Sequence, residues 1–134
     1  MWIYVQKTGN MYHSVDGELK FLANGYAGRE QYQNDPASQC VKDFGPLPRG
    51  MYSFAAPTTF NFMSNCLRLT PDAANDMCTP ARDGFWIHDG VFHGPHGDSS
   101  HGCICLQPAA RLSMWASDDH RLQVVDVDPG IDAA

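Results

Sequence analysis

The chain has 134 residues, 43% of them hydrophobic and 18% charged, with a formal net charge of −6. That length fits one packed domain spanning 1–134, and the nine scattered Lys and Arg residues exclude general nucleic-acid binding, which needs clustered cations. No apolar run reaches membrane-spanning length, and Met1–Val5 lacks the basic start and longer apolar stretch of a cleaved leader, so the expectation is a soluble protein made in the cytoplasm without a signal peptide.

Short strands separated by turn residues run along the chain. Trp2–Val5 is rich in strand formers and Thr8-Gly9-Asn10 turns after it. Met11–Val15 is a second strand, Asp16-Gly17 a hairpin signal, and Glu18–Ala23 a third strand closed by Asn24-Gly25, so the first quarter is an antiparallel meander. Residues 26–40 are polar and aperiodic, which predicts a surface loop. Gly45-Pro46-Leu47-Pro48-Arg49-Gly50 is a stiff turn leading into a strand at Met51–Phe54. Cys66–Thr70 alternates as a strand, and Thr70–Asn75 predicts one helical turn with Thr70 as cap and Pro71 at its first position. Phe85–Ile87 is a buried strand that delivers His88. Pro108–Ala116 is the best helix, with Ala109, Leu112 and Trp115 on its apolar face, and Leu122–Val127 is the last strand, stopped by Asp128-Pro129-Gly130. The fold class is therefore mainly β with one or two short helices, without repeats or linkers.

Five cysteines leave at least one unpaired. The expectation is that Cys40, Cys66 and Cys78 are small buried hydrophobes, with a Cys66–Cys78 bridge in an oxidising compartment as the alternative, since these two bracket a short segment.

The chemistry concentrates between His88 and Cys105. Gly84-Phe85-Trp86-Ile87-His88 is followed, 15 positions after the histidine, by Cys103 within Ser99-Ser100-His101-Gly102-Cys103-Ile104. A thiol needs a base to become a strong nucleophile, and an imidazole is the side chain best matched to that near neutral pH. Cys103 is the expected nucleophile and His88, mounted on a strand end, the expected base. His93, ten positions before Cys103, is the alternative base. Gly102 admits close backbone approach, and the amides of His101, Gly102 and Cys103, with Ser100 beside them, form the expected oxyanion and substrate-binding segment. His13 and His120 have no such context. A second class is a zinc site, because His88, His93, His96, His101, Cys103 and Cys105 fall within 18 residues. No Cys-x-x-Cys knuckle or His-Glu-x-x-His helix accompanies them, so the expectation is no metal and no cofactor.

These residues resemble the L,D-transpeptidase catalytic domains of the YkuD type, whose signature is a histidine, a loop, then Ser/Thr-His-Gly-Cys and an apolar residue. Here His88 begins it and Ser100-His101-Gly102-Cys103-Ile104 completes it. The chain is closer still to the small interbacterial toxins of that type delivered by type VI secretion. Three further motifs match in order: Gly45-Pro46-Leu47-Pro48-Arg49-Gly50-Met51-Tyr52, Leu67-Arg68-Leu69-Thr70-Pro71, and Arg82-Asp83-Gly84-Phe85-Trp86-Ile87-His88.

The resemblance implies an L,D-transpeptidase-like β-sandwich or barrel with the cysteine at the mouth of a groove. It implies attack by Cys103 on the carbonyl after meso-diaminopimelate in a peptidoglycan tetrapeptide stem, loss of D-alanine, and a thioester that water or an amine resolves. The outcome is L,D-carboxypeptidase, transpeptidase or D-amino-acid exchange activity in a target cell's periplasm. The implied partners are peptidoglycan stem peptides, a type VI delivery component and a cognate immunity protein. Asp89 stands where glycine is usual after the histidine, and its carboxylate is expected to orient an imidazole. Cys105 stands where housekeeping enzymes place Arg or Asn, which leaves Arg49, Arg82 and Arg111 as groups for the charged ends of the substrate. A non-catalytic wall-binding or inhibitory module on the same scaffold is the alternative.

Overall fold

The structure, a computed structural model, describes residues 1–92, 94–97 and 99–132. Ten strands appear in chain order: β1 Trp2–Val5, β2 Asn10–Val15, β3 Glu18–Asn24, β4 Tyr26–Ala27, β5 Gly50–Phe54, β6 Thr58–Phe60, β7 Met63–Pro71, β8 Trp86–His88, β9 Ile104–Cys105 and β10 Arg121–Val125. Helix α1 is Pro108–Ala116, helix α2 is Pro129–Asp132, and two 3-10 turns lie at Glu30–Tyr32 and Pro36–Ser38. The mainly β expectation holds. No helix among the described residues is long and apolar enough to cross a membrane.

The strands follow the order β3-β2-β1-β10-β5-β7-β8-β9-β4, with β6 paired to β7. The predicted meander is β1–β2–β3, its Asp16-Gly17 turn taking positive φ at both residues (51° and 80°), as the right-handed strand twist prefers. Strand β7 serves two neighbours. Its Leu67 and Arg68 pair with β8, while Leu69 of the same strand pairs with Phe54 of β5. The two ends of the order, β3 and β4, are joined by Gly25 alone, so the sheet curls until its edges are adjacent. That residue must be glycine, because a Cβ there would lie 2.1 Å from the Cys105 carbonyl oxygen. Trp2, Tyr4, Met11, Leu47, Tyr52, Leu67, Ile87, Ile104, Leu106, Met114 and Leu122 fill the enclosed core.

Four local expectations are corrected. Residues 70–75 do not make a helical turn. Strand β7 runs on through Pro71 opposite Tyr52, and Asn75 continues the pairing by bonding both main-chain groups of Met51 through its side chain (3.0 and 2.9 Å). Helix α1 turns a different face inward: Ala110, Arg111 and Met114 are buried, Ala109 and Leu112 are exposed, and Trp115 is half-buried against His120. The rotation follows from Arg111, whose guanidinium enters the interior to bond the carbonyls of Leu106, Asn65 (2.9 Å) and Ser64 (3.2 Å). The disulfide joins Cys78 to Cys40, not to Cys66, with Cα atoms 5.5 Å apart; Cys66 is a buried free thiol. The last strand ends at Val125, and Asp128-Pro129 opens α2 rather than only stopping β10, because Asp128 Oδ1 accepts the amides of Gly130 (2.8 Å) and Ile131 (3.3 Å).

Candidate functional site

The parallel pair β8 and β9 sets the geometry. Ile87 and Ile104 are register partners, both fully buried in the core, while His88 pairs with Cys105. Strand alternation puts Trp86, His88 and Cys105 on the side opposite Ile87 and Ile104, and His88 and Cys103 line a groove. The groove has a volume of about 600 Å³ and is lined by His88, Cys103, His101, Arg82, Phe85 and Phe60, among others. Its rim carries exposed Lys42, Asp43 and Asp83.

The wall from Phe60 to Met63 is the β6–β7 turn. Asn61 and Phe62 both have positive φ (46° and 64°), which fits a tight hairpin, and Phe62 is fully exposed at its tip. Phe60 stacks on Trp86 (4.4 Å between ring centroids) and leans on His88 (6.1 Å). The sequence reading missed this wall; the β-prone Thr58-Thr59-Phe60 run before an Asn was the available signal.

His88 is buried and well oriented. Its Nδ1 lies 2.6 Å from the Asp89 carbonyl oxygen, which can only accept, so Nδ1 carries the proton of the neutral ring and Nε2 is left with its lone pair. Nδ1 also lies 3.9 Å from Cys105 Sγ. Burial lowers the His88 pKa below the usual imidazole value; the Asp89 carbonyl bond raises it and the Arg111 charge lowers it further, each by less. The orienting group is thus the main chain of Asp89. Its carboxylate instead accepts the Gly90 amide (2.9 Å) and sits 4.0 Å from Arg111.

Cys103 is half-buried, and its thiol donates weakly to the Gly84 carbonyl (3.9 Å). No hydrogen bond joins it to His88 among the described residues. Burial pushes the thiol up to about 11, opposed by the Trp86 amide, the Arg82 charge and its own amide. Cys105 is fully buried and pushed up to about 12, chiefly by burial. The resting pair is therefore a neutral thiol and a neutral imidazole facing one groove.

Ser100 builds the turn that presents Cys103. Its buried hydroxyl accepts the amides of Gly28 (2.8 Å) and Gly102 (3.1 Å) and donates to the Cys103 carbonyl (2.6 Å). The Gly102 amide is thereby committed inside the turn. Gly102 itself adopts φ +131°, and a Cβ there would come 2.6 Å from Arg82 Nη2.

The alternative base, His93, lies outside the described residues. His96 stacks on Tyr26 (3.7 Å) and bonds Gln33, away from Cys103. His13 pairs with Trp2 and Asp119, and His120 with Trp115, both outside the groove. Among the described residues no group of three or more His, Cys, Asp or Glu is placed to hold a metal ion. None of the three arginines expected to receive charged substrate ends points freely into the groove. Arg49 bonds Gln6 and Pro36, Arg111 is caged as described, and Arg82 donates to four main-chain carbonyls. That cage went unread in the sequence because its acceptors are backbone atoms.

Against known families, one family model, described as the Tlde1 domain, matches residues 22–129. No curated protein and no solved structure was found to match the chain.

Proposed function

The chain belongs to the Tlde1-domain family of type VI secretion effectors of the L,D-transpeptidase kind, and from that premise we propose that it is a peptidoglycan-directed cysteine acyltransferase acting as an antibacterial toxin in the target periplasm. The observation that carries the reading is that His88, with Nε2 unprotonated and Nδ1 fixed by the Asp89 carbonyl, lines the same groove as the half-buried Cys103.

Cys103 Sγ attacks the carbonyl carbon of meso-diaminopimelate in a tetrapeptide stem while His88 Nε2 takes the thiol proton. Because the thiol titrates near 11, the proton leaves during attack rather than before it. The amides of Cys103 and His101 receive the developing oxyanion. The C–N bond to D-alanine breaks, His88 returns its proton to the leaving amine, and a thioester remains. Water then releases a tripeptide stem, or the amine of another stem or of a free D-amino acid takes the acyl group. An immunity protein that blocks the groove and a type VI delivery component complete the system.

The test is periplasmic expression of the oxidised chain and of Cys103→Ala, with muropeptides profiled by mass. The expected result is tripeptide, exchanged or crosslinked stems with the native chain only. Identical muropeptides in both would sink the catalytic reading, and equal growth arrest without any change in muropeptides would establish a wall-binding module instead.

A further inference from the structure

Arg82 is a cation that the proposed reaction does not yet use. Only 8% of it is exposed, and among the described residues no carboxylate lies within ion-pair distance of it, although the charge of Asp43 on the groove rim acts on it. Removing a guanidinium from water costs several kcal/mol unless its donors are satisfied. Here Nη1 donates to the carbonyls of Gln39 (2.6 Å) and Pro46 (2.9 Å), and Nη2 to those of Gly45 (3.1 Å) and His101 (3.1 Å). The ring of Phe85 lies 5.2 Å below the guanidinium carbon.

These four acceptors come from chain segments that otherwise share little regular structure. Gln39, Gly45 and Pro46 belong to the loop under one wall of the groove. The Arg82 amide donates to the Met77 carbonyl (2.8 Å) within its own segment, which lines the groove from Pro80 to Phe85, and His101 opens the turn that carries Cys103. Fixing the His101 carbonyl fixes the plane of the His101–Gly102 peptide. The next bonds then follow: the Gly102 amide to Ser100 and the Gly102 carbonyl to the Leu47 amide (3.0 Å). The direction of the Cys103 amide and the seat of its sulfur are consequences. A carbonyl cage satisfies the donors without neutralising the charge. Besides burial and the weak bond to Gly84, the Trp86 amide, its own amide, Arg82 and the thiol of Cys66 act on the Cys103 sulfur, and Arg82 is the cation among them.

We propose that Arg82 is a positioning residue of the reaction: its caged guanidinium holds the His101–Cys103 turn against the groove wall and sets a fixed positive charge beside the sulfur that attacks the substrate. This rests on Cys103 being the nucleophile, so one of the measurements needs no substrate.

The experiment compares Arg82→Met and Arg82→Lys with the native chain, each confirmed folded by its melting transition. Two readouts are taken: kcat and KM on purified disaccharide-tetrapeptide, and the pH profile of Cys103 alkylation by iodoacetamide, resolved at the Cys103 peptide. Arg82→Met is expected to lower kcat about 10²-fold, as a displaced reacting group does, to leave KM within about threefold, and to move the alkylation midpoint upward. Arg82→Lys keeps the charge but not the fork, so its midpoint stays with the native chain while kcat falls by about tenfold. A folded Arg82→Met with native kcat and midpoint overturns the proposal, as does a lysine variant whose midpoint moves as far as that of the methionine variant. If Arg82→Met does not fold, Arg82→Lys decides: lowered kcat at an unmoved midpoint supports the role, and native kcat overturns it. A native chain that turns over no tetrapeptide while Arg82→Met still shifts the Cys103 midpoint refutes the transpeptidase reading and supports the proposed effect on the thiol.

Discussion

Replacing both Cys40 and Cys78 by Ser opens the bridge that ties the two walls of the groove. The bond closes a loop with a sequence separation of 38. Loop-closure entropy for that length is about 4 kcal/mol at 25 °C, a large share of the roughly 5–15 kcal/mol that holds an ordinary domain together. With an unfolding entropy of about 2 cal/mol/K per residue, the melting temperature should fall by about 14 °C. The structure adds a local consequence. Cys78 Sγ also contacts the Gln39 carbonyl (3.6 Å), the same oxygen that receives Arg82, so the cage loses a wall together with the crosslink. The assay is scanning calorimetry on three samples: oxidised native chain, native chain with reductant, and the double-serine variant. Reduced native chain and variant should melt together, well below the oxidised chain, and the variant should ignore reductant because Cys66, Cys103 and Cys105 are already free. A fall of less than about 4 °C would refute the reasoning, since the loops would then be held without the bond.

Three more outcomes are expected. The rate should be flat across neutral pH, because burial holds the His88 imidazole below its usual value and the thiol up near 11, so the neutral pair persists between them; activity falls only as pH drops below about 6.5, and a narrow bell centred at pH 7 in kcat/KM would contradict the assignment. One equivalent of iodoacetamide on the folded chain should label Cys103 and leave Cys66 and Cys105, both buried with burial-raised thiols, unlabelled by peptide mass; labelling of Cys105 first would reverse the roles of the two. Asp128→Asn should cost about 2–3 kcal/mol in urea unfolding, since the buried carboxylate accepts Tyr12 (2.7 Å), Asn10 (2.8 Å) and Thr8 (2.9 Å). Burial alone would raise that carboxyl, but these bonds and the Gly130 amide outweigh it and hold it below its usual value. A depressed carboxylate stabilises above its unfolded pKa of about 3.9 and stops doing so as pH falls through the lower folded value, so the native chain should lose this advantage over Asp128→Asn only in strong acid.

The legible parts of the fold were those specified locally. The meander could be read because alternation and the Asp16-Gly17 turn lie within one window, and β5, β7 and β8 because each is an apolar run bounded by turns. Strands β4 and β9 have two residues each, too few for any period, and only the curled sheet gives them partners. The face of α1 was misread because hydrophobicity puts Arg111 outside, whereas three carbonyls draw it in. The bridge was paired by spacing along the chain, yet a disulfide answers to distance in space, and Cys40 arrives from a loop that no periodicity describes. At the site, the sequence named the groups that share the groove but not their wiring. That Ser100 consumes the Gly102 amide, and that the main chain of Asp89 rather than its carboxylate orients His88, depends on turn geometry.

That wiring has a common logic with a functional consequence. His88, Ser100, Arg82 and Arg111 are each anchored to main-chain carbonyls, which fix a donor's direction without cancelling its charge. The Arg82 charge therefore acts on Cys103 as well as on Asp43 and Tyr52. Arg111 and Asp89, 4.0 Å apart, act on His88 in opposite directions and leave burial as the deciding influence there. Burial then moves the two reacting groups apart, the imidazole down and the thiol up. Both rest uncharged at neutral pH, and in the proposed reaction charge separates only when a substrate carbonyl arrives at the sulfur. A protonated thiol exchanges slowly with disulfides and oxidants. An oxidising compartment closes the Cys40–Cys78 bridge, and there the same burial that slows ionisation of Cys103 preserves it as a free thiol.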